Sequence, residues 1–137
     1  MKKEINKKFR IINSNHIVID LRLNNVYGKF IVDTGASNSC VDFFSIKKFN
    51  ININKSKEIA SSATGDIEEI FHSEKNILQI DNYIINDIKM MVFDMTHINN
   101  SLKNNDSLVV DGIIGGDFLK KFSATLDYTN KILKLKL

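Results

Sequence analysis

The strongest constraint on the fold of this chain is a local one. The apolar run Phe30-Ile31-Val32 leads straight into Asp33-Thr34-Gly35-Ala36-Ser37. An apolar strand that ends on a carboxylate at a tight, glycine-permitted turn displays that acid at a strand end while its backbone stays anchored in a sheet. The Asp-Thr-Gly tripeptide occurs once. The nearest analogue, Asp111-Gly112, lacks the intervening Thr or Ser. A solvated strand-end turn would have the same local sequence, so the turn alone leaves its role open.

The second half of the chain narrows the choice. Leu108-Val109-Val110-Asp111-Gly112-Ile113-Ile114-Gly115-Gly116-Asp117-Phe118-Leu119-Lys120-Lys121-Phe122 reads as a strand, a paired-glycine break and a short helix beginning near Asp117. An apolar-apolar-Gly segment can cross behind another loop because the missing side chain permits close backbone packing. Asp117 is placed to cap that helix and to bond back to the Ser37 region.

Together, Val32-Asp33-Thr34-Gly35-Ala36 and, some eighty residues later, Gly112-Ile113-Ile114-Gly115-Gly116-Asp117-Phe118-Leu119 resemble the retropepsin-type aspartic proteases. The similarity is to their bacterial and DNA-damage-inducible branches more than to the retroviral enzymes. It runs in order and spacing over roughly residues 16 to 137. Ser37 and Gly116 stand where retroviral enzymes carry an Asp and an Arg that support their dimer, so retroviral dimer contacts do not transfer.

The resemblance implies an all-β, closed retropepsin-like barrel with one short helix near residues 117 to 122, spanning 1–137 as a single domain. It implies a homodimeric aspartic endopeptidase in which each chain contributes Asp33, Thr34 and Gly35. Metal-free hydrolysis needs one carboxylate to take a proton from water and one carboxylic acid to give a proton to the carbonyl oxygen. Two carboxyls about 3 Å apart share one proton and titrate as a pair. A twofold axis through the turn would supply both from two copies of Asp33. Ala36 and Ser37 beside the turn, and Ser62, Ala63, Thr64 and Gly65, are the expected substrate contacts. A catalytically idle dimeric peptide-binding module of the same fold is the alternative.

The remaining pattern is mainly β. His16 to Leu23 alternates with period two, Asn24-Asn25 turns it, and Val26 to Val32 returns to the Asp33 turn. Asp42 to Phe49, with Phe43, Ile46 and Phe49 at three-residue intervals, reads as a short helix. Glu58 to Phe71, broken by Ser61-Ser62-Ala63-Thr64-Gly65, has the form of a hairpin and holds the family's flap position. Asn76 to Ile80 and Ile88 to Asp94 read as strands, and His97 to Ser107 as a polar loop. Ala124 to Leu137 reads as a closing hairpin with a Thr129-Asn130 turn.

Composition removes several classes of function. A net charge of +3 scattered along 137 residues gives little support to a nucleic-acid partner. His16, His72 and His97 are far apart without ligand spacing, so neither a metal nor another cofactor is expected. No G-x-G-x-x-G or G-K-[ST] phosphate loop occurs. No apolar run approaches a membrane span and no signal h-region follows the basic start. The lone Cys40 fits a reducing, cytoplasmic setting as a small buried hydrophobe. Residues 1 to 10 are read as a dimer arm or a pro-segment.

Overall fold

The computed structural model describes residues 3–54, 57–61 and 67–137. Its centre is the expected hairpin. Strands β3 (Ile17–Leu23) and β4 (Val26–Val32) pair antiparallel from Ile17↔Val32 to Leu23↔Val26. Asn24 and Asn25 both adopt positive φ, 49° and 70°. Two such residues give a turn whose twist matches the strands it joins. The Asn24 side chain donates to the Phe49 carbonyl at 2.9 Å and accepts from the Ile77 amide at 2.9 Å, pinning the turn to the far side of the barrel.

Both faces of this hairpin are buried. Ile17, Ile19, Leu21, Leu23, Phe30 and Val32 enter the main core, while Val18 and Ile31 join a second cluster on the opposite face. The rest of the barrel is built from β5 (Cys40–Asp42), β7 (Ile67–Ile80), β8 (Tyr83–Phe93) and β9 (Gly112–Ile114). The order β3-β4-β9-β5-β8-β7 returns to β3 through Arg22↔Gln79 and Leu23↔Leu78, so six strands close on themselves. Closure removes free edges from this part of the sheet. Short β2 (Arg10–Ile11) adds beside β3, and β6 (Lys57–Ser61) beside β7. The pairing of β6 with β7, from Lys57↔Phe71 to Ser61↔Ile67, forms the expected hairpin. Its tip, including Ser62, Ala63, Thr64 and Gly65, lies outside the described residues.

A separate three-stranded sheet joins β1 (Glu4–Lys8), β11 (Ile132–Lys136) and β10 (Thr125–Asp127). The closing hairpin is therefore present. Its turn is held by Asp127, which accepts from the Asn130 amide at 3.0 Å and side chain at 2.9 Å. Residues 4–8 pair with β11 of their own chain, burying Ile5 against the core.

Three local expectations change. The polar loop at His97 to Ser107 is helix α1 (Thr96–Asp106). Its sequence has four Asn and only Ile98 and Leu102 as spaced apolar residues, so intrinsic propensity is low and packing supplies the stability. Leu102 is buried with Met95, Val110, Val18, Ile31, Cys40 and Ile113. Just before the helix, Asp94 accepts from both the amide and hydroxyl of Thr96, and those bonds hold its carboxyl below the usual range. Among the described residues there are thus two α-helices, α1 and α2 (Gly116–Lys121), the second being the short helix expected near residues 117 to 122. The helix at Asp42 to Phe49 shrinks to a 3-10 turn, Phe43–Ser45. The strand read from Leu108 begins only at Gly112, because the Asn99 side chain occupies both backbone groups of Val110, at 2.8 and 3.1 Å.

Cys40 is 3% exposed, and burial pushes its thiol up to about 12, with smaller contributions from Asp117, Asp42 and Asp33. The raised value means that the folded state favours the thiol form. Its contribution to stability is complete below the unfolded pKa, about 8.5, and is lost as pH rises toward 12. Native protein at neutral pH should therefore react with iodoacetamide far more slowly than urea-unfolded protein. Equal rates would contradict this burial.

Candidate active site

The Asp33 turn is held by two crossing backbones. Strand β4 runs parallel to β9, with Phe30↔Gly112, Ile31↔Ile113 and Val32↔Ile114 in register. The Asp33 amide then donates to the Ile114 carbonyl at 3.0 Å. The two segments diverge around the next four residues. The Gly116 amide donates to the Ala36 carbonyl at 2.6 Å, and the Asp117 amide to the Ser37 carbonyl at 3.1 Å. A Cβ at Gly115 would lie 2.8 Å from the Ala36 and Asn38 carbonyl oxygens, and one at Gly112 would clash with the Cys40 carbonyl. Glycine at both positions is what lets β9 and α2 pass behind the turn.

Asp33 itself is half-buried, and Thr34 and Gly35 are exposed. The Gly35 amide donates to Asp33 Oδ1 at 2.8 Å, fixing the carboxylate on its own turn. Ala36 is half-buried against the second apolar cluster, and Ser37 is exposed. Asp33 through Ser37 are thus contiguous at one end of the β4–β9 pair.

Asp117 makes the expected bond back toward the Ser37 region, at Ser39, but it does not cap α2: it lies within the first turn, and the N-cap is Gly115 without a side-chain bond. There Asp117 is an acid at the positive end of the helix. Its Oδ1 accepts from the Phe118 amide at 2.8 Å, the Ser39 amide at 2.9 Å and the Ser39 hydroxyl at 2.8 Å. Sequence reasoning missed Ser39. It is 1% exposed, and its hydroxyl also accepts from the Gly115 amide at 2.9 Å. One buried hydroxyl therefore ties the chain after the Asp33 turn to the start of α2. Its removal would leave the buried Gly115 amide unpaired, at a cost of about 1–3 kcal/mol. The only sequence signal was a small polar residue directly before an apolar strand.

The other carboxylates near these elements are already engaged. Asp111 precedes β9 beside Lys29, four residues before Asp33 along β4, or roughly 13 Å at strand rise. It accepts from the Lys29 amide at 3.0 Å and pairs with Lys48 at 3.1 Å. Asp42 accepts from the Phe44 and Met95 amides. Each has a structural task inside the chain. Among the described residues, no three His, Cys, Asp or Glu side chains gather as metal ligands. No helix among them is long and apolar enough to cross a membrane.

Similarity to known proteins agrees with this arrangement. The family described as "gag-polyprotein putative aspartyl protease" matches residues 19–121. Among curated proteins none matches the chain. Among solved structures, the retropepsin-like aspartic protease from Rickettsia conorii aligns at TM-score 0.61 with 20% identity, over 99% of this chain and 92% of that one. The retroviral protease-like domain of Ddi1 from Leishmania major aligns at 0.63 with 18% identity, over 88% and 87%. EIAV protease, in complex with the inhibitor HBY-793, aligns at 0.55 with 18% identity, over 80% and 90%. The likeness of these structures establishes the barrel as retropepsin-like. With the family match covering the Asp33 turn, the crossing at Gly115 and helix α2, the chain belongs to the retropepsin-like aspartic proteases.

Proposed function

We propose that this protein is an aspartic endopeptidase that works as a homodimer, with Asp33 from each chain forming one catalytic pair. The observation that carries the reading is the Asp33 turn: a half-buried carboxylate presented at a strand end and held through Gly35, while the chain's nearby Asp111, Asp42 and Asp117 are engaged elsewhere. A lone carboxylate can act as base but cannot also be the acid. A second copy across a twofold axis supplies the partner.

In that dimer one Asp33 is ionised and takes a proton from water as it attacks the peptide carbonyl. The other is protonated and donates to the carbonyl oxygen, giving a neutral tetrahedral gem-diol. The carboxyl that holds the former water proton then gives it to the departing nitrogen, while the other, now ionised, takes a proton from one gem-diol hydroxyl. The C–N bond breaks to give a carboxylic acid and an amine, and the pair again holds one shared proton. Exposed Thr34 is placed to bond the partner's turn, and the Gly35 amide keeps each carboxylate in plane. Ala36 and Ser37 border the groove. The β6–β7 hairpin reaches over it as a flap, with Ser62, Ala63, Thr64 and Gly65 offering backbone groups to an extended peptide. The setting is cytoplasmic, and the partners are a second copy and a protein or peptide substrate.

Two measurements test this reading. A peptide with a hydroxyl-bearing, non-cleavable replacement for the scissile bond should bind at least about a hundredfold tighter than the matching unmodified peptide, because it mimics the tetrahedral species. The pH–rate profile should be bell-shaped with its optimum below neutrality, reporting the coupled carboxyls. Equal binding of the two peptides, or a rate that keeps rising into alkali, would overturn the assignment.

A further inference from the structure

A cavity of about 550 Å³ opens beside the Asp33 turn, lined by Asn38, Ser39, Asn54 and His72, by Ser73, Glu74, Lys89, Met90 and Met91, and by Asp117. Resting on the protease reading above, we infer that this cavity is a distal substrate subsite that takes a cationic side chain, lysine or arginine, of the bound peptide.

Position is the first argument. Asn38 and Ser39 follow Asp33 by five and six residues, so the cavity begins no more than about 20 Å from the catalytic carboxylate. An extended peptide covers that distance within about six residues. The opposite wall contains His72 and Ser73 of β7, the strand that forms the hairpin with β6, and Asn54 bonded to it through the His72 carbonyl. The cavity therefore lies between the chain leaving the Asp33 turn and the base of the hairpin.

Chemistry is the second. Met90 and Met91 give part of the wall thioether and methylene surface, which suits the stem of a long side chain whose charged end stays polar. Asp117 has three donors converging on Oδ1, while Oδ2 takes no hydrogen bond among the described residues. Glu74 is also on the wall, and its one ion pair among the described residues is a loose 4.0 Å contact with Lys89. Both are largely exposed, at 54% and 81%, so this pair is worth little and Lys89 is free to swing outward. A smaller adjoining cavity of about 200 Å³ shares Ser39, Lys89 and Asp117 and adds Asp87 and Lys121. Across the two, Glu74, Asp87 and Asp117 face Lys89 and Lys121, an excess of negative charge in a protein whose net charge is positive.

The test uses a peptide series in which each position, out to about six residues on either side of the scissile bond, carries Lys, Gln or Glu in turn. One position should show Lys favoured over Glu by roughly tenfold in kcat/KM, as expected for gaining one exposed attraction and avoiding one repulsion. Glu74→Lys should abolish or reverse that preference at the same position alone, and Lys89→Glu should strengthen it. Both sites are exposed, so neither change threatens folding. The same series on a non-cleavable, hydroxyl-bearing backbone separates the two readings. Charge-dependent binding without any cleavage would sink the protease assignment and leave the subsite standing. Cleavage with no position sensitive to the residue at 74 would overturn the subsite and leave the protease assignment intact.

Discussion

Replacing Asp33 with Asn should lower peptide hydrolysis by about 10³-fold or more while the protein stays folded and dimeric. The substitution keeps what holds the turn in place. Asn retains an oxygen to accept from the Gly35 amide, and the turn is anchored by backbone bonds, Asp33 to Ile114 and Gly116 to Ala36, that no side chain supplies. What it loses is the group that can take and return a proton near neutral pH. The thermal midpoint should move by no more than a few degrees, corresponding to about 1 kcal/mol or less. The hydroxyl-bearing peptide should still bind, though more weakly. Turnover within about tenfold of wild type would mean that the reacting acid is another residue. Loss of the folded state would instead assign Asp33 a structural role that its bonds do not suggest.

The parts of the fold that could be read from sequence are those whose signal is local. Alternation in residues 17–23 and 26–32, with Asn-Asn between them, fixes a hairpin because both halves of the pattern and the turn chemistry agree. The Asp33 turn and the Gly115-Gly116-Asp117 break were legible for the same reason. Each requires a residue type that few alternatives can replace. Helix α1 was not legible, since Ile98 and Leu102 gain their meaning from a cluster that includes Val18 and Ile31, which are far away in sequence. Asp94, two residues before the helix, looks like any strand-end acid until Thr96 is seen to bond to it.

The same distinction applies at the site. Asp33 announces itself through its neighbours, whereas Ser39 becomes important only when Gly115 and Asp117 arrive from some seventy-six residues or more away. Asp111 looks like a second candidate acid in sequence, being an Asp-Gly within an apolar run. In the structure it braces β4 through the Lys29 amide and pairs with Lys48. The long-range partners of a carboxylate, more than its local sequence, decide whether it is available for chemistry.

If each chain supplies one acid, activity must depend on pairing. Specific activity should fall toward zero on dilution through the dimer dissociation constant, and it should recover on concentration. Mixing tests this more sharply. With about a ninefold excess of Asp33→Asn chains and time for subunit exchange, random pairing leaves only about one wild-type chain in ten opposite another wild-type chain. Activity per wild-type chain should then drop to roughly a tenth, since mixed dimers hold a single carboxyl. The inert chains act only by taking up partners, so an Asp33→Asn protein that is unfolded should have no such effect. This control separates poisoning by pairing from nonspecific loss. Activity that stays proportional to wild-type protein at every dilution and mixing ratio would mean that one chain suffices. Asp111 and Asp117 would then be the first residues to substitute in search of the second acid, because they lie on the segments that cross behind the Asp33 turn.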